Sequence, residues 1–600
     1  MQLEWNLRTI NKKKIYSIIF GFFGAVGGVT YTAVKVGLQN KNLLSLLLFY
    51  ITYRMYYKMF NKEGEKRYVY FLLSLLYGVM LVFGIQWDLE SEVKFTIITM
   101  INIFLVSCLI FPFLVDLVEW IDTSIIVKEN SVKTLHLCFF IIVLVWILTW
   151  LALFPGVYAT DAPYWYHEFL QKNIKISSQW SPFYCGLFYI FVSLGKKYFD
   201  SFSVGFSLFS FLQMICSLYV IWNIMLFISR QLNRKILVVT MLFFCLPIHP
   251  ILALTSAQDS LFSACFTMVM LLILMNFINE EEFLKSKRNV LKLFFWMFFM
   301  CVVRNNGLYA LMVMLVFSIL LRVKRKLLLT FIAIAVTVAI YQGPFYNFLG
   351  IQKGTAIREM LSMPLQQMAY VYNDEEANRD LKTRMREYVG DEMWKNYTPF
   401  ISDPVKSGLD IEYTNANKIR FLKLYIKCFF EEPIDYIQAA GLQTLTLWYP
   451  DKNWPDARPW HPYIDVLCYS AEVAYDPGFE ITRNSYFPQY QMFLEKMFGQ
   501  GIPGNGYGGD LKMFFSKIPV VGTFFQAGFY SWILIFAVFY ALFNKNRKLL
   551  LVLSVELGIW LTVFLSPVIM YRYCSPFIFA TPVSILAVVI LSNNIKKDIS

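Results

Sequence analysis

The feature that most constrains this sequence is the recurrence of apolar runs about 20 residues long. Runs of that length match the hydrocarbon core of a bilayer, which is roughly 30 Å thick. With 57% hydrophobic and only 16% charged residues, the chain is also too apolar for a soluble protein of 600 residues. The sequence therefore predicts an all-α polytopic membrane protein.

The distribution of charge predicts the topology. The chain carries 54 Lys and Arg residues against 41 Asp and Glu residues, but residues 346–520 hold only 18 basic residues against 22 acidic ones. Basic residues concentrated in short loops mark the cytoplasmic side of a membrane protein. We therefore expect a multi-pass protein of the cell (plasma) membrane with both termini in the cytoplasm and residues 346–520 outside. The same distribution argues against a nucleic-acid partner.

About fourteen transmembrane helices satisfy this rule. They are expected at about 15–34, 43–60, 68–87, 95–115, 134–154, 204–229, 236–256, 259–279, 290–303, 307–321, 327–345, 521–543, 549–566 and 575–592. The remaining apolar run, 183–199, is expected to lie along the membrane interface as an amphipathic helix. If it crossed the membrane instead, Arg230, Arg234 and Lys235 would fall outside and every later loop would invert.

Four regions follow from this topology. Residues 1–133 form an N-terminal four-helix membrane extension, and residues 134–345 form a membrane core with an outer loop at 155–203. Residues 346–520 are long enough for an α-rich extracytoplasmic domain, and residues 521–600 form a C-terminal segment of three membrane helices.

Two carboxylates are expected at the outer ends of helices. Asp161 follows the fifth span within a loop rich in aromatic residues, and Asp259 begins a later span. Either could have an ordinary role, Asp161 as a solvated loop residue and Asp259 as a helix cap favoured by the dipole. Together they could act as a general base and its positioning group. Alternatively, they could bind a divalent cation such as Mg²⁺ or Mn²⁺ through their oxygens.

Two arginines are expected at the same side of the membrane. Arg304 interrupts an apolar stretch between two short helices, and Arg572 lies between the last two helices. An arginine at that depth is costly unless it is paired, although its side chain could also extend to the interface. The planar guanidinium group suits phosphate oxygens. The two arginines beside two carboxylates suggest a site for a lipid-linked phosphate.

The loop after Asp161 offers further candidates. His167 and Glu168 lie on the outer side but at no recognisable zinc spacing. Trp165 belongs to an aromatic cluster, which is typical of a membrane-interface belt and could instead stack on a sugar.

Together, these features resemble the GT-C superfamily, the membrane glycosyltransferases that use polyprenyl-phosphate sugars. The stretch from Pro155 to Asp161 resembles the acidic first outer loop of that superfamily, and Ser181-Pro182 resembles the start of its interfacial helix. Thr255-Ser-Ala-Gln-Asp259 resembles its second acidic element.

Within this superfamily the chain looks closest to the uncharacterised Gram-positive proteins called the DUF6020 family. The segments that carry this second resemblance are Val303-Arg-Asn-Asn-Gly-Leu-Tyr309, Leu361-Ser-Met-Pro-Leu-Gln-Gln367 and Tyr571-Arg-Tyr573. The resemblance covers about residues 134–593, and the first four helices look like an addition.

The resemblance implies a GT-C-like fold and an inverting sugar transfer from a polyprenyl-phosphate donor to a cell-envelope acceptor. Such acceptors are a glycopolymer, a teichoic-acid-like polymer, a lipid or a protein. Asp161 would be the general base, and Asp259 would position the acceptor or help to bind a metal.

The other implied roles concern the donor and the acceptor. The residues implied to hold the donor phosphate are Arg304, Arg572 and Arg358, and those implied to contact the acceptor are His167, Glu168, Trp165, Asn305 and Gln366. Two rival readings are a transporter or flippase of a lipid-linked sugar and a non-catalytic envelope assembly protein.

Overall fold

A computed structural model describes most of the chain. The residues that it describes are 2–36, 43–61, 68–123, 132–157, 166, 169, 176–352, 354, 356–450, 481, 484–498 and 522–599. Within these residues the secondary structure is helical, and extended segments meet only as isolated bridges. The chain divides into two compact units.

The first unit contains residues 1–125 together with 448–452 and 592–600. Its four helices are α1 (Gln2–Val36), α2 (Leu43–Asn61), α3 (Val69–Glu90) and α4 (Ile97–Thr123). Gly27 of α1 has no room for a Cβ atom, which would collide with the backbone of Leu105 in α4. The Tyr56 hydroxyl of α2 donates a hydrogen bond of 2.7 Å to the Cys108 carbonyl of α4. Such small residues and buried hydrogen bonds are typical of helix contacts in membranes.

The second unit contains residues 126–447 and 453–591. Its apolar helices are α5 (Val132–Ala152), α6 (Pro182–Phe199), α7 (Phe202–Gln231), α8 (Arg234–Phe244), α9 (Ile248–Ala253), α10 (Asp259–Ile278), α12 (Lys287–Val303), α13 (Asn306–Leu320), α14 (Arg325–Ile340), α24 (Ala527–Phe543), α25 (Arg547–Phe564) and α26 (Tyr571–Ile599), with the short α11 (Glu280–Lys285) between α10 and α12. The α10 helix is almost entirely buried, so it forms the centre of this bundle.

Eight helices of the described residues are long and apolar enough to cross a membrane. They lie at Lys12–Tyr31, Val69–Glu90, Ile97–Thr123, Val132–Ala152, Phe202–Gln231, Asp259–Ile278, Arg325–Phe348 and Tyr571–Ser592. The α6 helix is not among them, and α13 and α24 are apolar but shorter. The chain is therefore an all-α membrane protein, whereas the total of about fourteen spans stays a prediction.

The structure corrects one predicted span. The segment expected at 236–256 as one helix is broken between α8, which ends at Phe244, and α9, which begins at Ile248. Pro247 and Pro250 lie at this break. Proline lacks the backbone N–H that a continuous helix needs and disfavours a helical conformation in the residue before it.

A smaller helical domain follows α14. Its helices are α15 (Ala356–Met360), α16 (Ser362–Asn373), α17 (Arg379–Met385), α18 (Asp391–Lys395), α19 (Asp403–Lys406), α20 (Ile411–Ala416), α21 (Lys418–Glu431) and α22 (Pro433–Trp448). The later helix α23 (Pro488–Phe498) instead contacts α5, where the Tyr490 and Thr149 hydroxyls lie 3.3 Å apart. A shared core contains Leu365, Trp394, Phe421 and Tyr436 among its buried residues. The Trp394 indole N–H donates to the Met385 carbonyl at 3.2 Å, which satisfies the one polar atom of this side chain.

The acidic side chains of Asp374, Glu432 and Asp435 converge on one side of this domain. Burial, with the charges of Asp374 and Glu432, raises the pKa of Asp435 to about 6. A carboxyl group whose pKa is higher in the folded state binds more protons there between about pH 4 and pH 6. Its ionisation therefore reduces the stability of the domain as the pH rises through that window.

We accordingly expect Asp435→Asn to stabilise α22 at pH 7.5 and to have no effect at pH 4. The free energy of unfolding of α22 is expected to rise by about 1 kcal/mol, after allowance for partial exposure of the carboxyl group. Hydrogen–deuterium exchange of α22, compared with wild type at each pH, measures it. Glu375→Gln, at an exposed position, is the control. Equal effects of the two substitutions at pH 7.5 would refute the prediction.

Candidate functional site

A buried ion pair joins two of the predicted site residues. Asp259 is the first residue of α10, and Arg304 directly follows the last residue of α12. The Arg304 Nη1 atom contacts the Asp259 Oδ1 atom, and the two side chains are only 14% and 6% exposed. Removing two charges from water is costly unless they are paired, and this contact pairs them. It also holds the two side chains in a defined orientation relative to each other.

Arg572 approaches the same pair through an aromatic ring. It is the second residue of α26 and is 5% exposed. The Tyr573 ring centre lies 4.8 Å from the Arg304 Cζ atom and 5.4 Å from the Arg572 Cζ atom. Arg304 also lies 5.9 Å from the ring centre of Phe262. Both guanidinium groups thus lie over the ring of Tyr573. Together with the Asp259 carboxylate, the two arginines give the site a net charge of +1.

Two serines align the helices that carry Asp259 and Arg572. The Ser263 hydroxyl donates to the Asp259 carbonyl at 2.6 Å and lies 2.9 Å from the Ser575 hydroxyl. Ser263 is one helical turn beyond Asp259, and Ser575 is about one turn beyond Arg572. The serine contact therefore brings the first turns of α10 and α26 to the same level.

The start of α6 contacts the backbone segments that precede both members of the ion pair, which are the end of α12 and the loop before α10. The Ser181 hydroxyl accepts from the Tyr184 backbone N–H at 3.1 Å, which caps the helix, and donates to the Val302 carbonyl at 2.5 Å. The Tyr184 hydroxyl lies 2.8 Å from the Ser256 carbonyl oxygen and 2.9 Å from the Ala257 carbonyl oxygen. The start of α6 thus fixes both backbone segments that lead to Asp259 and Arg304.

Asn305 also helps to hold this arrangement. Its side-chain amide donates to the Ser178 carbonyl at 3.2 Å. The next residue, Asn306, donates to the Thr562 hydroxyl of α25 at 2.9 Å. The predicted acceptor contact Asn305 therefore has a structural partner in the segment before α6.

Asp161, Trp165, His167 and Glu168 lie outside the described residues. The chain that leads to them is described as far as Val157, four residues before Asp161. The Val157 backbone N–H donates to the Leu254 carbonyl at 3.0 Å, and its carbonyl accepts from the Ser256 N–H at 2.8 Å. The segment before Asp161 is therefore bonded to the segment before Asp259, with which it forms a parallel bridge.

Two other predicted residues lie in the smaller domain. Arg358 is half-buried in α15, while Gln366 of α16 is fully buried and donates to the Thr398 carbonyl at 2.5 Å. Among the described residues, neither forms a hydrogen bond or ion pair with Asp259, Arg304 or Arg572. The structure therefore does not group these two residues directly with the ion pair.

The smaller domain nevertheless contacts the turn before α26. The Ser402 backbone N–H donates to the Pro567 carbonyl at 2.9 Å, and the Gln443 side-chain amide donates to the Ser566 carbonyl at 2.8 Å. Ile401 pairs with Val568 in an antiparallel bridge. These contacts support the turn that leads to Arg572.

No role was predicted for Tyr573, Tyr184, Ser263 or Ser575. Tyr573 could have been noticed as the aromatic neighbour of a candidate arginine, because guanidinium groups often lie over such rings. Nothing in the sequence pairs Ser263 with Ser575, since the contact depends on how α10 and α26 pack.

The predicted metal ligand Asp259 has an arginine as its neighbour. Of the described residues, the acidic group with a spacing that could hold a metal ion is Asp374, Glu432 and Asp435, in the smaller domain. Asp259 does not belong to it. Its charge is balanced by Arg304 instead.

Fold and site together define a polytopic helical membrane protein with a buried, net cationic site at the ends of its helices. The family of unknown function DUF6020 matches residues 182–598, which is more than half of the chain. The protein therefore belongs to the DUF6020 family. No curated protein matches the sequence, and no solved structure does.

Proposed function

We propose that this protein is a glycosyltransferase that moves a sugar from a polyprenyl-phosphate donor to a cell-envelope acceptor at the outer membrane face. One observation carries the proposal. Two arginines and one carboxylate from three different helix ends are largely removed from water, and both guanidinium groups lie over the Tyr573 ring while Arg304 contacts Asp259. Guanidinium groups desolvated in this way bind a phosphate more strongly than exposed ones.

The proposed reaction is a single displacement. The acceptor hydroxyl oxygen forms a bond to the anomeric carbon of the donor sugar, and the bond from that carbon to the phosphate oxygen breaks. The electron pair of that bond leaves with the polyprenyl phosphate, and Asp161 takes the hydroxyl proton as general base. Inversion at the anomeric carbon is implied by the resemblance to the GT-C superfamily.

Arg304 and Arg572 would stabilise the negative charge that develops on the leaving phosphate. Asp259 would act by orienting the Arg304 guanidinium group, which it contacts. Because Arg304 already balances the charge of Asp259, this arrangement favours leaving-group stabilisation by arginine over a divalent cation bound at Asp259.

The described chain that leads towards Asp161 supports its proposed role as the base. Val157, four residues earlier, is hydrogen-bonded to Leu254 and Ser256, which lie five and three residues before Asp259. A base near the donor phosphate site could reach an acceptor hydroxyl poised for attack.

The test uses purified full-length protein in lipid nanodiscs with a polyprenyl-phosphate monosaccharide labelled in its sugar. The proposal expects the label to enter a co-purified or added envelope polymer and free polyprenyl phosphate to form in equal amount. A flippase would move the intact donor across proteoliposome membranes without releasing polyprenyl phosphate. An assembly protein would do neither, and either result would refute the proposal.

A further inference from the structure

The α21 helix of the smaller domain has two apolar faces. One face packs into the domain core through Phe421, Leu424 and Cys428, all of which are buried. These positions repeat every three or four residues, as expected for one side of a helix. Tyr425 of the same helix is partly buried against this core.

A second face of α21 leaves large apolar side chains exposed. We call this set the apolar strip, and it continues into the first turns of α22. Its members and exposed fractions are Ile419 (73%), Leu422 (54%), Ile426 (43%), Phe429 (43%), Phe430 (75%), Ile434 (54%) and Ile437 (45%). Several large apolar side chains exposed on one helix face and the turn after it mark a binding surface.

Basic residues border the apolar strip. Arg420 and Lys427 are occupied by ion pairs, Arg420 with Glu387 at 2.8 Å and Lys427 with Glu431 at 3.4 Å. Lys418 and Lys423 are exposed and form no ion pair within the described part of the chain. Two cationic side chains next to the strip are therefore available to an anionic partner.

We propose that the apolar strip lies in the headgroup region of the bilayer and that Lys418 and Lys423 contact anionic lipid headgroups. The membrane helices of the same chain place a bilayer within reach of this domain. A helix that combines exposed aliphatic and Phe side chains with flanking lysines is suited to that interface. Lysine stems can cover apolar surface while their ammonium groups reach the headgroups.

A second copy of the chain fits this surface less well. A symmetric contact between two strips would bring Lys418 and Lys423 of both copies into one interface without an added opposite charge. Like charges in a poorly solvated contact are unfavourable. The membrane provides the opposite charge, and this proposal does not depend on sugar transfer.

The test places a bimane fluorophore on Phe430→Cys in full-length protein in nanodiscs that contain anionic lipid. Phe430 is largely exposed, so its replacement leaves the core intact. The control is Gly390→Cys, because a Cβ atom at Gly390 meets no other atom within 4 Å. The nine cysteines of the described residues are buried or half-buried, and labelled wild type gives their background.

Lipids brominated on their acyl chains should reduce the fluorescence at position 430 about twofold, as for a side chain at the headgroup–acyl boundary, with little effect at position 390. Aqueous iodide should show the reverse pattern. Ile419→Cys, at the other end of the strip, should behave like Phe430→Cys. Quenching at position 430 should fall when Lys418 and Lys423 are both replaced by glutamine.

Four results would contradict the proposal. Iodide quenching at position 430 equal to that at position 390 would place the strip in water. Protection from both quenchers would show that protein covers it. Disulfide-linked dimers of the unlabelled Phe430→Cys variant would instead show that the strip joins two copies. Unchanged quenching in the double lysine variant would overturn the role of the lysines.

Discussion

Replacing Arg304 by alanine is expected to abolish sugar transfer and to destabilise the membrane bundle. The substitution leaves Asp259 buried without the group that balances its charge. Breaking a buried pair by removing one partner costs about 3–5 kcal/mol. It also removes one of the two guanidinium groups proposed to hold the donor phosphate. Thermal unfolding and transfer rate are measured on the same preparation.

A double variant separates these two effects. Arg304→Ala combined with Asp259→Asn has no uncompensated charge, so most of the lost stability should return while transfer stays absent. Arg325→Ala, at the exposed first position of α14, is the matched control and should resemble wild type in both measurements. Recovery of transfer in the double variant would show that Arg304 only balances Asp259.

Replacing Asp161 by asparagine is expected to lower kcat by about two to four orders of magnitude, the usual contribution of a general base. Donor affinity should stay unchanged, because the donor phosphate is assigned to the arginines and not to Asp161. Single-turnover transfer at saturating donor measures the loss, and an equilibrium titration measures donor affinity.

Glu168→Gln provides the comparison for Asp161→Asn. Glu168 lies seven residues later in the sequence, within the same predicted outer loop, and its replacement should lower the transfer rate much less. A full transfer rate in Asp161→Asn together with a large loss in Glu168→Gln would assign the base to Glu168. A full rate in both variants would remove the general base from this loop.

The helices could be predicted because their signal is local. A run such as Asp259–Ile278 is long and apolar enough to cross a membrane whatever it packs against, and the structure has a helix there. The break between α8 and α9 was missed, although Pro247 and Pro250 mark it. Proline can bend a membrane helix or end it, and the choice depends on the neighbouring helices.

The individual charges of the site could be predicted, but their pairing could not. Asp259 and Arg304 each stood out because a charge at the end of an apolar run is costly. The sequence suggested a metal or an acceptor for Asp259, whereas the structure pairs it with Arg304. That pairing, and the position of Tyr573 between two guanidinium groups, depend on how helix ends distant in sequence pack together.

The central claim is that the buried arginines bind the phosphate of a polyprenyl-linked donor. The most direct measurement is the equilibrium affinity of a polyprenyl-phosphate monosaccharide for nanodisc-embedded protein that carries Asp161→Asn, so that no transfer occurs. Adding Arg572→Gln should weaken binding about tenfold to a hundredfold, since a hydrogen bond to a charged group contributes roughly 1.5–3 kcal/mol. Adding Arg325→Gln should leave it unchanged. Equal affinities with and without the Arg572 guanidinium group would contradict the account.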